Sequence, residues 1–328
     1  MDPAWLAAFD WLCRRRRRAP PDADIWDLRW RWPNIGHVLY RDVVTGSYRL
    51  SPMLVHRTKS GQESVAMWSA QDALVLKWVS LQIQGLMPRR SSCMHLRGGG
   101  GRKCLRLVAG ALCSGRYRFV HRTDIRGYYG HIIKSQVISQ IDRFIPDPVH
   151  RALIAQYVHY SVESGGEIYT PTLGIPRGCA LSPLIGGSLL RHVDGYYESL
   201  PPEDYFYVRY MDDFLLLTRT RWQLRRGIRE LASFFELGGF ERHPDKTQTG
   251  KVEKGFDWLG LWFGSGGPTV APRALTNHRE RRARLYEQVR RQRLSEEEIG
   301  RRMHAYDTRW KRWADSMLAA GAMPADSG

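Results

Sequence analysis

The sequence predicts an α+β fold built around an antiparallel sheet. Apolar and aromatic runs of strand length flank a tight acidic turn, Tyr207-Val208-Arg209-Tyr210-Met211-Asp212-Asp213-Phe214-Leu215-Leu216-Leu217. Residues 204–210 and 214–218 read as the strands on either side of it. Helical stretches at 70–84, 131–144, 147–163 and 222–237 stand before and after this hairpin. The chain has 328 residues, 43% of them hydrophobic, with 12 Trp, 15 Tyr and 10 Phe. That composition belongs to a folded protein with two or three subdomains around substantial cores.

Taken in order, residues 4–18 read as a short amphipathic helix ending in the arginines 14–18. Its basic end is either a clamp for RNA or a solvated, frayed terminus. The apolar stretch 5–12 precedes the arginines, the reverse of a secretory signal. Residues 26–32 are rich in Trp and Arg, and 40–54 read as extended pieces joined by a Thr45-Gly46-Ser47 turn. Arg57 and Lys59 lie in a basic turn at 56–60. Leu74, Val75, Trp78, Leu81 and Ile83 recur at helical spacing within 70–84.

A loop is expected at 88–103. Its Gly98-Gly99-Gly100-Gly101-Arg102-Lys103 lacks the Gly-Lys-Ser/Thr ending of a phosphate-binding loop, so it reads as a mobile basic loop or a plain linker. A helix at 105–114 and a strand at 117–125 carrying Asp124 follow. Pro146 and Pro148 punctuate the next two helices, and Gly165-Gly166 marks a turn. Ser182-Pro183 is an N-cap and first-turn pair for a helix through 197. Residues 241–246 and 256–263 read as further strand. Between Arg273 and Arg293 eight arginines face Glu280 and Glu287, followed by Trp310-Lys311-Arg312-Trp313, which reads as a basic helical unit before a disordered tail.

Charge bounds the partner. Fifty Lys+Arg against 33 Asp+Glu give +17 and a pI near 10.0, which points to a polyanion, most simply nucleic acid. A membrane surface competes, but no apolar run approaches the roughly 18 residues that span a bilayer. The five cysteines form no CxxC pair, and Cys93-Met94-His95 is too little for a zinc site. Unpaired thiols fit a reducing, cytoplasmic setting.

Asp212 and Asp213 are like charges at a tight turn, and a divalent cation is the economical neutraliser. A third carboxylate is available in Asp124, at a strand end followed by Gly127-Tyr128-Tyr129. In this setting the string Thr123-Asp124-Ile125-Arg126-Gly127-Tyr128-Tyr129 resembles the first palm motif of reverse transcriptases. Gly174-Ile175-Pro176-Arg177-Gly178 with Leu181-Ser182-Pro183 resembles the second, and Tyr210-Met211-Asp212-Asp213 the third. His243-Pro244-Asp245-Lys246-Thr247 and Gly255-Phe256-Asp257-Trp258-Leu259-Gly260 resemble the two that follow.

The resemblance implies a right-hand polymerase: a basic segment at 1–35, fingers at 36–115, a palm at 116–265 and a short helical thumb with its tail at 266–328. It implies a bacterial, retroelement-type enzyme that copies RNA into DNA by transferring dNTPs to a primer 3′-hydroxyl. Two Mg²⁺ ions, replaceable by Mn²⁺, would be held by Asp124, Asp212, the less direct Asp213 and the Ile125 carbonyl. Tyr129 would exclude a 2′-hydroxyl. Pro176, Arg177 and Gly178, with Arg57 and Lys59, would meet the nucleotide. Lys246 is either the proton donor to pyrophosphate or a solvated lysine. Tyr210, Met211, Gly255, Phe256, Trp258 and Gly260 would touch primer and template, as would Arg281, Arg282 and Arg284. The implied partners are an RNA template and a DNA or RNA primer, with a dedicated non-coding RNA or accessory protein in view and no membrane. Arg177 departs from the Gln of many relatives. The alternatives are untemplated or protein-primed DNA synthesis in phage defence, and an RNA-binding protein that has kept the fold without the chemistry.

Overall fold

The computed structural model describes residues 2–57, 64–96, 98, 100–292 and 294–322. In chain order the helices begin with α1 (Pro3–Arg15), α2 (Asp24–Val44), α3 (Ala70–Ile83), α4 (Gly100–Cys113), α5 (Tyr128–His131) and α6 (Lys134–Phe144). They continue with α7 (Pro148–Val158), α8 (Ser182–Leu189), α9 (Arg191–Glu198), α10 (Arg221–Leu237), α11 (Pro272–Arg291) and α12 (Glu296–Ala322). The strands are β1 (Met53–Arg57), β2 (Ser64–Met67), β3 (Phe119–Asp124), β4 (Val162–Ser164), β5 (Glu167–Tyr169) and β6 (Tyr205–Tyr210). After them come β7 (Asp213–Thr218), β8 (Gln248–Lys251), β9 (Phe256–Trp258), β10 (Leu261–Gly264) and β11 (Gly267–Val270). Helices mixed with antiparallel sheets give the α+β class of right-hand polymerases. Two compact units divide the chain: Met1–Arg89 with Gly127–Leu190, and Arg90–Arg126 with Arg191–Gly328. Among the described residues no helix is long and apolar enough to cross a membrane.

In the first unit, the Asp2 carboxylate caps α1 by accepting from Ala4 N (2.9 Å). This helix buries Trp5, Ala8 and Leu12. The Trp5 indole N–H donates to the Gly36 carbonyl (3.1 Å), and its ring packs among Trp32, Tyr40 and Trp78. That wedge corrects the sequence reading of 26–54. Residues 24–44 are one helix that continues through Pro33, because α2 buries Ile25, Leu28, Gly36, Leu39 and Val43. Burial of one face outweighs the hydrogen bond that proline removes. The expected turn at Gly46 is present, with φ 75°. Arg16, within the arginine run, is tied to Asp24 (3.0 Å) and to the Trp68 carbonyl (2.7 Å).

The sheet of this unit runs β2-β1-β4-β5, with β4 parallel to β1 and the other pairs antiparallel. Residues 162–163 are therefore strand and not the end of a helix, because Val162 pairs with Met53 once α7 has closed at Val158. The helix expected over 182–197 is two, α8 and α9. Ser182 is the first residue of α8 and not its cap; its hydroxyl donates to the Pro176 carbonyl (2.6 Å).

In the second unit, β6-β7-β3-β8 form an antiparallel sheet whose inner strands β7 and β3 are buried on both faces, while the edge strand β8 is partly exposed. Phe214 meets Phe235 of α10 (5.1 Å) on one face. Leu215 and Leu217 enter the other core with Val120, Val208, Leu105, Val108, Phe256, Trp258 and Leu261. This two-sided burial explains why Phe214 to Leu217 is an unbroken apolar run. Ser92 O accepts from Arg209 N (2.9 Å), and Cys93 bridges β6 at its outer edge.

Three sequence expectations change here. Residues 100–103 are the first turn of α4 instead of a loop, since Cys104, Leu105 and Val108 are core; 97 and 99 lie outside the described residues. Residues 241–246 hold a bridge at Arg242 and a 3₁₀ turn over Pro244–Lys246, because Pro244 cannot donate to a ladder. Residues 256–263 are two strands, β9 and β10, that turn at Leu259 (φ 47°) and Gly260 (φ 86°). Helices α11 and α12 pack through Val289, Ile299 and Met303, and His278 stacks on Tyr306 and Trp310.

The loop before α8 has one position that admits only glycine. Gly174 (φ 81°) donates to Ile132 O (2.8 Å), and a Cβ there would stand 2.9 Å from the carbonyl oxygens of Tyr129 and Gly130. Gly174→Ala is expected to cost about 1–3 kcal/mol, read as a lowered urea midpoint. Gly85→Ala, which has open space and no positive φ, should leave the midpoint within about 0.5 kcal/mol.

Candidate active site

Three of the expected carboxylates are brought together in the second unit by strand register. The antiparallel β3–β7 ladder sets Asp124 opposite Asp213. Tyr210 pairs with Asp213 across β6–β7, which leaves Met211 and Asp212 as a two-residue hairpin turn. Ile125 N donates to the Asp212 carbonyl (3.2 Å), and His243 N to the Asp124 carbonyl (2.8 Å). The acidic turn is thereby fixed to the strand end that carries Asp124, which is 2% exposed.

The electrostatics follow from that packing. Burial, then the charge of Asp124 and a hydrogen bond between the two carboxyls, push Asp212 up to about 6. Asp213 is also pushed up to about 6, by burial and by Asp124, against the opposing pull of Arg122 and Lys246. Lys246 Nζ is ion-paired with the Asp124 carboxylate. Arg122 reaches Asp213 (3.4 Å) and the Lys246 carbonyl (3.3 Å). Two cations thus offset part of the charge of three carboxylates. Hard oxygen donors of raised pKa suit Mg²⁺ or Mn²⁺. Among the described residues no three His, Cys, Asp or Glu side chains are gathered as a closed metal cage. Asp124 and Asp212 form the close pair, while Asp213 turns toward Arg122.

Beneath the turn lies a polar clamp that the sequence reading missed. Met211 is held at φ 58°, a left-handed conformation costly for a residue with a side chain. Its N–H donates to His95 Nδ1 (3.0 Å), and its carbonyl accepts from Arg209 Nη1 (2.7 Å). Arg209 is 0% exposed and ion-paired with the equally buried Asp194, Nε to Oδ1 at 2.8 Å. Tyr207 donates to the same Asp194 oxygen (2.8 Å), and Cys93 Sγ lies 3.1 Å from Arg209 Nη2. An arginine inside an apolar strand was the legible signal, since a buried guanidinium requires a partner. Nothing local in the sequence points to Asp194 or to His95 as partners in the clamp.

The other expected residues distribute as follows. Phe256 and Trp258 are fully buried core, so their side chains face no ligand. A Cβ on Gly255 (φ 78°) would meet the Trp262 ring at 2.6 Å, and one on Gly260 would meet Trp313 at 2.9 Å. Arg281 lines a cavity of about 430 Å³ with His278, Tyr306 and Trp310. Arg282 pairs with Asp307 (3.1 Å) and Arg284 with Glu280 (3.4 Å). In the first unit, the Tyr129 ring is 8% exposed and packs on Gly186, and its carbonyl accepts from Ile175 N (2.9 Å). Pro176 is buried, while Arg177 and Gly178 are exposed. Arg57 ends β1, and Lys59 lies outside the described residues.

Two outcomes are expected. The raised pKa values mean that between about pH 4 and pH 6 the folded site keeps protons the unfolded chain releases. Without metal, the contribution of these two carboxyls to stability is therefore fully present below about pH 4 and is lost as pH rises through 6. Mg²⁺ or Mn²⁺ should raise the melting temperature at pH 7.5 and much less at pH 5, and Asp212→Asn should abolish that response; identical melting with and without metal at pH 7.5 would refute the assignment. Arg209→Met should cost about 3–5 kcal/mol by stranding Asp194. The double variant Arg209→Met/Asp194→Leu should recover stability yet stay poorly active, because the Met211 carbonyl has lost its tether; full recovery of both would show the pair to be structural only.

Comparison with known proteins gives a match over residues 75–263 to the family described as Reverse transcriptase (RNA-dependent DNA polymerase). No curated protein matches significantly. Two solved structures of telomerase from Candida tropicalis are similar to this chain. One, of the apo enzyme, has a TM-score of 0.47 and 11% identity over 70% of this chain and 51% of that one. The other, truncated from its C-terminal domain, has a TM-score of 0.43 and 15% identity over 61% and 45%. This chain spans about half the length of those enzymes. The family consists of nucleotidyltransferases that depend on divalent metal ions. Its match covers more than half of the chain and takes in Asp124, Asp212, Asp213 and Lys246, so the chain belongs to the reverse transcriptase family.

Proposed function

We propose that this chain catalyses RNA-templated DNA synthesis. The observation that carries the reading is the meeting of Asp124 with Asp212 at the end of β3, in a chain of the reverse transcriptase family. In the reaction the primer 3′-oxygen bonds to the α-phosphorus of a dNTP, the bond from that phosphorus to the pyrophosphate oxygen breaks, and pyrophosphate leaves. Asp124 and Asp212, with Asp213 and the Ile125 carbonyl, would hold two Mg²⁺ or Mn²⁺ ions. When bound, these ions would activate the 3′-hydroxyl and neutralise the triphosphate. Lys246, seated on Asp124, is the proposed proton donor to pyrophosphate.

Other roles follow the family pattern. Tyr129 would exclude a 2′-hydroxyl, and the exposed Arg177 would make an ionic contact to the nucleotide. The 255–260 turn would carry the primer, with Arg281 above it. Fingers at 36–115, palm at 116–265 and thumb at 266–328 remain the proposed functional division, after a basic segment at 1–35. We take the chain for a bacterial, retroelement-type enzyme of the cytoplasm, with an RNA template, a DNA or RNA primer, and a dedicated RNA or accessory protein as its partners.

The deciding experiment purifies the protein with its co-bound nucleic acid, supplies labelled dNTPs and Mg²⁺, and sequences RNA and product. DNA complementary to one enriched RNA is expected, with Asp212→Asn reducing synthesis by on the order of 10²–10³-fold. Random or homopolymeric DNA would replace templated by untemplated synthesis. No DNA from either protein would leave a nucleic-acid-binding protein.

A further inference from the structure

We propose a second phosphate site, formed by Arg116, Arg118 and Arg219 at the end of the palm sheet opposite the carboxylates, that takes the sugar-phosphate backbone of a single-stranded nucleic acid. It rests on the reading that this chain handles nucleic acid, and no residue of the polymerase site belongs to it. The three arginines line a cavity of about 590 Å³ together with Gly115, Glu203 and Thr220.

Backbone pairing sets their positions. Arg118 stands one residue before β3, with its N–H on the Thr218 carbonyl (2.9 Å) and its carbonyl taken by Val252 N (2.9 Å). Arg219 stands one residue after β7, with its N–H on the Asp204 carbonyl (3.1 Å). Because Phe119 pairs with Thr218, the two arginines leave adjacent strands side by side. Arg116 joins them after Gly115, whose φ of 64° turns the chain out of α4.

The positive charge outweighs the acid beside it. All three side chains belong to exposed residues, and among the described residues none has a carboxylate within ion-pair distance. Glu203 is the single acid in the lining. Helix α10 opens beside the cavity with Thr220 as N-cap, its first turn holds no acidic residue, and Arg221 follows at once. The positive end of that 17-residue helix therefore adds to the arginines. Guanidinium groups bind phosphate through paired N–H donors, and three around one cavity exceed what a solvated face requires.

Location decides what the phosphate belongs to. Arg118 and Arg219 sit six residues along their strands from Asp124 and Asp213, about 20 Å at the strand rise, so the reacting triphosphate cannot occupy both places. A cavity of this volume admits a nucleotide unit, beyond the needs of a lone anion. The chain's +17 charge favours a polyanion over an acidic protein segment. The site would hold a strand at a distance from the chemistry, giving affinity without reading bases.

The test measures binding of labelled single-stranded RNA and DNA of one sequence across a salt series. The variant Arg116→Ala/Arg118→Ala/Arg219→Ala should lower the log–log salt slope by about 2, at roughly 0.7 per single-strand phosphate, and weaken binding at least tenfold near 0.1 M salt. The triple Arg→Lys variant should keep the slope. Arg31→Ala/Arg41→Ala/Arg143→Ala removes the same charge elsewhere and should leave the slope unchanged. A slope equal to wild type in the first variant, or an equal loss in the scattered one, overturns the site. So does a loss confined to an acidic peptide, which would make it a protein-docking surface. Dependence seen for RNA alone identifies the strand as template, for DNA alone as product, and either supports the site. Melting temperature and extension of a short annealed primer–template should match wild type, which separates this site from the polymerase. A wild-type protein that binds strands through these arginines yet makes no DNA would remove the polymerase reading and leave the site standing.

Discussion

The constraint on which the second unit depends is the β3–β7 register, which sets Asp124 against the Asp212-Asp213 turn in a largely buried setting. Two unit charges 4 Å apart repel by about 4 kcal/mol at the effective dielectric of a protein surface. The fold meets that repulsion with a hydrogen bond between the Asp124 and Asp212 side chains, with Lys246 and with Arg122. The strain at Met211 is held by His95 from one side and Arg209 from the other. Each support sits on a different element: the segment before α4, strand β6, the 3₁₀ turn after α10, and strand β3 itself.

What was legible in the sequence was whatever had a local pattern. The hairpin could be read because apolar runs bracket two acids, and the structure places it at β6 and β7 within a residue of the expected bounds. Helix α10, read over 222–237, is Arg221–Leu237, and the structure adds its Thr220 capping box. Helix α2 was not legible, because Pro33 and five tryptophans or arginines in the seven residues 26–32 gave no helical signal on their own. The burial of Trp5 against Gly36, 31 residues away, decides it. Gly100 and Gly101 resembled a loop for the same reason: the helix they begin is held by Cys104 to Val108 in the core.

At the site, residue types gave the carboxylates, because few chemistries gather acids at strand ends, while Lys246 came only with the family resemblance. The clamp was invisible, since Asp194 and Arg209 lie 15 residues apart on a helix and a strand and meet only after both pack. The arginines at 116, 118 and 219 were likewise scattered; in sequence they are three of many. Strand pairing makes two of them neighbours.

One feature of the palm sheet bears on how anything attaches to it. A four-stranded sheet has two free edges, and an exposed edge invites another chain to add a strand. Here Ser92 and Cys93 already lie along β6, and β8, at the other edge, is four residues long and ends in Lys251. Growth of the sheet by a borrowed strand is therefore closed off at one side and poorly templated at the other. A protein partner that meets this sheet must recognise its side chains instead of extending its strands.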